Sequence, residues 1–235
     1  MIKNIFCLSL LFVLVLMTDR SVSAQGGYVF GFMGGPTLST QKMRGFQREP
    51  FLRYHGLAFI ESVSEYSPNS LYARLGYHVK GSAINTTRYF DLDGNEYPRR
   101  SSSMEFHNLS FSLGVKQRRE LGNLYYHYAF GVRGDYNLKG KFGDLFKGLE
   151  GAQNKFTYGV NVDAGIEFPL SELVSAVIEI GISPDLGEQL FIPPQNTGYT
   201  YSDGRPIILP ETSLTNVVFE LRAGFRFWRK IVYID

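Results

Sequence analysis

Only one cysteine, Cys7, occurs in 235 residues, so disulfides cannot staple this chain as they staple small secreted domains. Tryptophan is as scarce, with one residue at 228. After residue 17 no apolar run approaches the roughly eighteen residues of a membrane-crossing helix, and a transmembrane helix is excluded. Charge of one sign is missing too. The chain has 24 basic and 22 acidic side chains, a balance that gives no reason to expect a nucleic-acid partner. Zinc spacings, phosphate loops and nucleotide fingerprints are also absent.

Glycine and aromatics, by contrast, are plentiful: 25 Gly, 19 Phe and 15 Tyr. The first residues have their own character. Lys3 precedes an apolar run from Ile5 to Met17, and Ser21-Val22-Ser23-Ala24 follows, the pattern of a secretory signal peptide. Residues 1–24 are expected to be that signal, with cleavage after Ala24. Cys7 lies too early in the run to be a lipoprotein cysteine. Loss of Lys3, Arg20 and Asp19 would leave 22 basic and 21 acidic residues and no cysteine. Residues 25–235 are expected to form one domain.

The clearest pattern in that domain is its last run, 214–228, LTNVVFELRAGFRFW. Thr215, Val217, Phe219, Leu221, Ala223, Phe225 and Phe227 share one face; Asn216, Val218, Glu220, Arg222, Gly224 and Arg226 share the other. Alternation with period two is a strand signal. A helical period would scatter Glu220, Arg222 and Arg226 around the cylinder and break any apolar stripe. Strands in soluble sheets usually run about five or six residues, whereas a tilted bilayer crossing needs about 9–11.

Similar runs are expected near 28–38, 54–64, 71–83, 105–116, 124–136, 156–168 and 173–183. The third is among the cleanest: Leu71, Ala73, Leu75, Tyr77 and Val79 alternate with Tyr72, Arg74, Gly76, His78 and Lys80. Connections after the odd-numbered runs are long and those after the even-numbered ones short. Segments 84–104 and 184–212 are the longest, each with an Asp-Gly pair, Asp93-Gly94 and Asp203-Gly204, at an expected hairpin tip. An even strand number with short turns at one end and long loops at the other is the plan of an outer-membrane barrel. The expectation is an all-β, eight-stranded, antiparallel up-and-down transmembrane barrel with both termini in the periplasm.

A soluble barrel of lipocalin type alternates as well, but its outer polar face should be rich in well-hydrated lysine. Here the polar face carries Arg74, Lys80, Arg133, Arg222 and Arg226 with Glu61, Asp135, Asp163, Glu167, Glu179 and Glu220. Arginine outnumbers lysine and the signs nearly balance, with Gly, Ser, Asn and Thr filling between. That suits a narrow lumen packed with Arg–carboxylate pairs. Those eleven residues are the expected lumen charge network. With inward Leu57, Tyr72 and Tyr125 they should plug the barrel, because eight strands enclose only enough room for side chains. Aromatics gather at strand ends: Tyr28, Tyr126, Phe168 and Phe227 at one rim, Tyr136 and Phe156 at the other, as interfacial girdles. Phe225 and Trp228 are expected to join the girdle at the rim nearer the termini.

Gly34-Gly35-Pro36-Thr37-Leu38-Ser39-Thr40 in the first run and Gly224-Phe225-Arg226-Phe227-Trp228 in the last give the chain a family likeness. It resembles the small outer-membrane barrels of OmpA/OmpX type, and more closely the barrel proteins of Bacteroidota, including the PorT-like group. The resemblance implies residence in outer-membrane lipid and assembly by the barrel-insertion machinery, for which Gly224, Phe225, Phe227 and Trp228 would be the signal. The likeness departs from its family in one respect, since Arg229 to Asp235 follow the aromatic pair. PorT-like membership would add other envelope or secretion proteins as partners, a role no motif here specifies.

A catalytic reading would rest on the four histidines. His55, His78 and His127 are expected inside the barrel. His107, with Ser103 or Ser110 and Glu105, would be the best hydrolytic grouping, but Ser110 lies on the opposite face. Histidines satisfied within the lumen or the aromatic belt are the adopted reading. Asp91-Leu92-Asp93-Gly94-Asn95-Glu96 lacks the length and distal glutamate of a calcium loop. The sequons at Asn85 and Asn108 carry no expectation in a bacterial protein. The expected function is that of a monomeric structural or interaction module acting through its external loops, with no large pore, no cofactor, no metal and no catalytic residue. The alternatives are a secretion-system accessory and a lipid A-modifying enzyme.

Overall fold

The structure is a computed structural model describing residues 26–43, 49–64, 67–86, 89–90, 96–97, 100–200 and 204–229. The expected signal peptide, most of the Asp91–Glu96 segment and the last six residues lie outside them.

Eight long strands form the wall: β1 Gly26–Met43, β2 Phe51–Ser64, β3 Asn69–Thr86, β4 Arg100–Leu121, β5 Leu124–Phe142, β6 Phe156–Pro169, β7 Val174–Pro184 and β8 Thr212–Arg229. Each pairs antiparallel with the next, and β8 pairs back onto β1, Phe30 opposite Phe227 and Phe32 opposite Phe225. The ring is closed, so each of the eight wall strands has a neighbour on both sides.

The stagger can be followed by register. From Gly31 the paired residues run through Phe59, Arg74, Ser112, Arg133 and Gly159 to Asp185, whose N–H bonds the Asn216 carbonyl, and Asn216 pairs Gln41. One circuit therefore returns to β1 ten residues further on, from 31 to 41. A shift of that size over eight strands tilts them by about 40° from the axis, within the range that barrel closure requires.

Period two then decides what faces where. The outward row of β8 holds Phe219, Leu221 and Phe225, at 46, 48 and 41 % exposure, while Glu220, Arg222 and Arg226 are at most 4 % exposed. The same holds on β7, where Ile178, Ile180 and Ile182 face out and Glu179 is buried. A continuous apolar belt encloses the ring.

Strands exceed their expected bounds mainly at the long-loop end. β4 runs over 100–121 instead of 105–116, and β5 continues to Phe142, so the segment 137–155 is partly strand. There β5 carries an extra residue, Leu138, where the register against β4 slips between His107 and Asn108. Beyond the ring, Asp144–Leu149 forms a 3-10 turn, Leu190–Ile192 adds to the edge of β8, and Gln195–Thr200 pairs with Pro206–Leu209. Gly204, at φ +85° in that hairpin, needs the absent side chain. Tyr89–Phe90 pairs with Glu96–Tyr97 on either side of Asp93-Gly94.

Candidate functional site: the lumen charge network and its two ends

The inward rows of β2 to β8 deliver their charged side chains to one interior; β1 contributes only Val29, Met33, Thr37, Ser39, Gln41 and glycines. The charges stack in three tiers. In the tier nearest the chain termini, Lys116 donates to Glu61 at 3.0 Å and sits 2.9 Å from Glu167, while Arg226 reaches both carboxylates. Arg118 Nε approaches Glu167 at 2.8 Å. His127 lies between this tier and the next, 3.1 Å from Glu167 and 2.9 Å from Glu179.

In the middle tier Arg74 donates to Asp163 at 2.6 Å and to Glu179 at 3.1 Å. Arg222 lies 3.0 Å from Asp163 and bonds Glu179 and Glu220. His78 Nδ1 is 3.1 Å from Glu220, and the His55 ring stacks on His78 with centroids 4.9 Å apart. In the third tier Lys80 donates to Asp135 at 2.6 Å and to Asp185 at 2.7 Å, and Arg133 Nε donates to Asp135 at 2.9 Å. Asp185 also accepts from Asn216 at 2.7 Å, and Ser110 donates to Asp135.

All eleven residues expected from the sequence lie in these tiers. Three further members, Lys116, Arg118 and Asp185, are not among those eleven. Lys116 and Arg118 continue the alternation of Asn108, Ser110, Ser112 and Gly114, and that continuing period is the signal that marks them. Asp185 follows Pro184 in what reads as loop, yet it still bridges Gly159. With them, among the described residues, the lumen holds seven carboxylates (Glu61, Asp135, Asp163, Glu167, Glu179, Asp185, Glu220) and seven cations (Arg74, Lys80, Lys116, Arg118, Arg133, Arg222, Arg226). Equal numbers matter because an unpaired buried charge costs several kcal/mol.

Side chains of the expected polar kind do not fill the lumen alone. Val29, Met33, Leu57, Phe59 and Val177 form an apolar wall inside, with Val63 and Trp228 packed on it. Toward the long-loop end Met104, Phe106, Phe146, Leu190 and Leu214 form a second cluster that caps the tiers. Within the middle tier the free space is about 10 Å³, room for about one water.

Trp228 corrects the expected girdle. It shares the lumen face of Arg226, and the guanidiniums of Arg118 and Arg226 lie 4.9 and 5.7 Å from its ring. The cations hold it inward, where period two puts it. Phe225 and Phe227 stay outside and pack on Phe32 and Phe30 across the β1–β8 seam. Gly224 faces inward, where a Cβ would run into the Phe32 carbonyl and Met33.

His107 lies outside the ring. Its Nδ1 meets the Tyr77 hydroxyl, and its Nε2 is 3.8 Å from Glu105, which accepts from Arg53 at 2.7 Å. Ser110 is buried on Asp135 across the wall, so His107, Ser110 and Glu105 do not converge. Ser103 shares the face of Glu105 and His107, but among the described residues these two bond Tyr77, Arg53 and each other, not Ser103. Asn108, the second sequon residue, is fully buried and accepts from Asn137. Among the described residues no group of three His, Cys, Asp or Glu side chains is placed to hold a metal.

A closed eight-stranded ring, apolar outside and charged inside, can now be set beside known structures. The outer membrane protein OprG from Pseudomonas aeruginosa superposes with a TM-score of 0.51 at 10 % identity, covering 90 % of this chain and all of that one. This is an outer-membrane β-barrel fold. A major outer membrane protein from Thermus thermophilus gives a TM-score of 0.49 at 13 % identity, over 87 % of this chain and 99 % of its own. Ail, the attachment invasion locus protein of Yersinia pestis, gives 0.42 at 13 % identity, over 86 and 99 %. No family model and no curated protein matches the sequence.

Proposed function

We propose that this barrel spans an outer membrane and serves as a scaffold that presents its long-loop end as an interaction surface, without a large pore and without catalysis. The carrying observation is the pairing of an apolar belt with a sealed, charge-matched lumen. Residues such as Ile180, 61 % exposed, and Val132, 53 % exposed, would be costly in water as a continuous belt and are at home in acyl chains. The interior offers no channel, since an apolar cluster caps the tiers at the long-loop end and the bonded charges of the middle tier leave only about 10 Å³ between them. The long-loop end is the surface offered to protein partners. There the hairpin Gln195–Thr200/Pro206–Leu209 exposes Tyr199 and Ile208, at 74 and 57 %, more apolar surface than a hairpin in water needs.

In this reading the chain is a monomer with both termini periplasmic, resident among outer-membrane lipid after delivery by the barrel-insertion machinery. Its partner at the loop end is another envelope or extracellular protein. A secretion-system accessory is one form this could take. A lipid A-modifying enzyme is disfavoured by the separation of His107 from Ser110.

Orientation and surface role are tested together by cysteine labelling of intact cells, because the expected processed chain has no cysteine of its own. Tyr199→Cys should react with a membrane-impermeant maleimide and Asn123→Cys, in the two-residue turn after β4, should not. Labelling of Asn123→Cys alone would invert the orientation. Labelling of both in sealed cells would overturn the membrane-spanning reading.

A further inference from the structure

At the end of the ring that holds Gly26 and Arg229, the lumen opens into a cavity of about 760 Å³ between β2, β3, β4, β5 and β8, with Ser67 and Pro68 at its rim. That volume is in the range of small-ligand sites. Its floor is the first charge tier. Counting lysines, arginines and carboxylates, this tier sets three cations, Lys116, Arg118 and Arg226, against two carboxylates, Glu61 and Glu167. The opposite imbalance sits deeper, in the middle tier, beyond reach of the mouth.

Lys116 and Arg226 each bond both carboxylates. Arg118 uses only its Nε, toward Glu167, and its two terminal nitrogens find no partner among the described residues. The guanidinium plane is held by Tyr125 at 3.5 Å and by Trp228 at 4.9 Å. Aromatic clamping of this kind fixes the fork and leaves its donating edge for a ligand. Around it Ser67, Asn69 and Ser70 add polar groups, with Ser67 Oγ accepting from the Asn69 N–H, Asn69 Oδ1 accepting from Gln117 and Ser70 Oγ donating to the Lys116 carbonyl, and Val63 and Pro68 supply apolar wall.

We infer that this mouth binds the carboxylate end of a short peptide, with Arg118 as the anchoring cation. A carboxylate meets the planar fork bidentately and cancels the one surplus positive charge. The peptide's amides and side chains would use the serines, Asn69 and the apolar wall. This site rests on the fold and not on which side of a membrane the mouth faces.

Trp228 is the chain's one tryptophan, so its emission reports this cavity without labelling. The test is a titration of the full-length folded barrel, in detergent or in buffer, whichever preserves its β-sheet circular dichroism. The probes are N-acetyl-alanyl-alanine, its C-terminal amide, and sodium acetate. A saturable change with the free acid, none with the amide and an at least tenfold weaker response to acetate are expected. Arg118→Gln should raise the dissociation constant for the free acid at least tenfold, the loss expected for a charge-assisted bond. Arg118→Lys should fall between, and Lys139→Gln at the opposite end should change nothing. An equal response to acid and amide, unchanged binding by Arg118→Gln, or no saturation in a barrel of intact dichroism would overturn the site. Acetate as good as the peptide would overturn the peptide assignment. The labelling experiment above can fail without touching these outcomes.

Discussion

Glu167 is the most heavily committed carboxylate in the lumen, and neutralising it should unfold the barrel more readily than any surface change. Lys116 stands 2.9 Å and Arg118 2.8 Å from its oxygens, Arg226 bonds it, and His127 lies 3.1 Å away. A pair of unit charges about 2.9 Å apart attracts by about 6 kcal/mol at an effective dielectric of about 20. Desolvation offsets much of that, and removing one partner of a buried pair costs about 3–5 kcal/mol because the other charges stay behind. Glu167→Gln leaves Lys116, Arg118 and Arg226 facing Glu61 alone, so a loss of about 3–5 kcal/mol is expected. The assay is urea unfolding of lipid-refolded protein, followed by Trp228 emission and by heat-dependent gel mobility. Glu172→Gln, in the exposed β6–β7 turn, should stay within about 0.5 kcal/mol of the parent. Removing a cation together with the carboxylate, as Glu167→Gln with Lys116→Met, should cost less than the sum of the single changes. A Glu167→Gln loss under about 1 kcal/mol, or strict additivity in the double variant, would refute the idea that the network is held by matched charge.

Phe227→Asp or Phe225→Asp should lower the level of folded barrel in the outer membrane more than any loop substitution. Each change places a carboxylate on the outward face and removes an aromatic contact across the closing seam worth about 0.5–1.5 kcal/mol. Normal membrane levels of either variant would show the seam to be less demanding than its packing implies. Gly224→Val should destabilise by about 1–3 kcal/mol in the same urea assay, since its side chain collides with the Phe32 backbone and Met33; a neutral result would mean β1 and β8 can part there without cost. In planar bilayers the purified barrel should show no large stable conductance, because the middle tier leaves space of about 10 Å³; long-lived openings of porin size would contradict a filled lumen.

The wall of this fold is legible because its outside and inside want opposite chemistry at every second residue. Where one face meets apolar surroundings and the other a packed interior, as from Val217 to Arg226, alternation survives and the strand can be read to within a residue or two. At the long-loop end the outward face turns polar, with Ser101, Ser103, Lys139 and Lys141, and β5 slips by one residue at Leu138, so the ends of β4 and β5 read as loop. The lumen charges are legible by the same parity up to the point where a turn is expected. Lys116 and Arg118 are hidden by the charged run that follows, and Asp185 by its proline. The apolar cap is legible only in part, because Phe146 reaches it from a 3-10 turn and Leu190 from a three-residue strand, both too short to show a period. Trp228 shows the opposite failure: residue type alone suggests a girdle, although parity with Arg226 already places it inside.

The most direct test is depth and environment along β8. Single cysteines at Val217, Phe219, Leu221, Ala223 and Phe225, each carrying an environment-sensitive fluorophore in lipid vesicles, should be quenched by a bilayer-confined quencher and shielded from aqueous iodide. Val218, on the lumen face, should respond to neither. Iodide quenching at all five outward positions would contradict a barrel that spans the membrane.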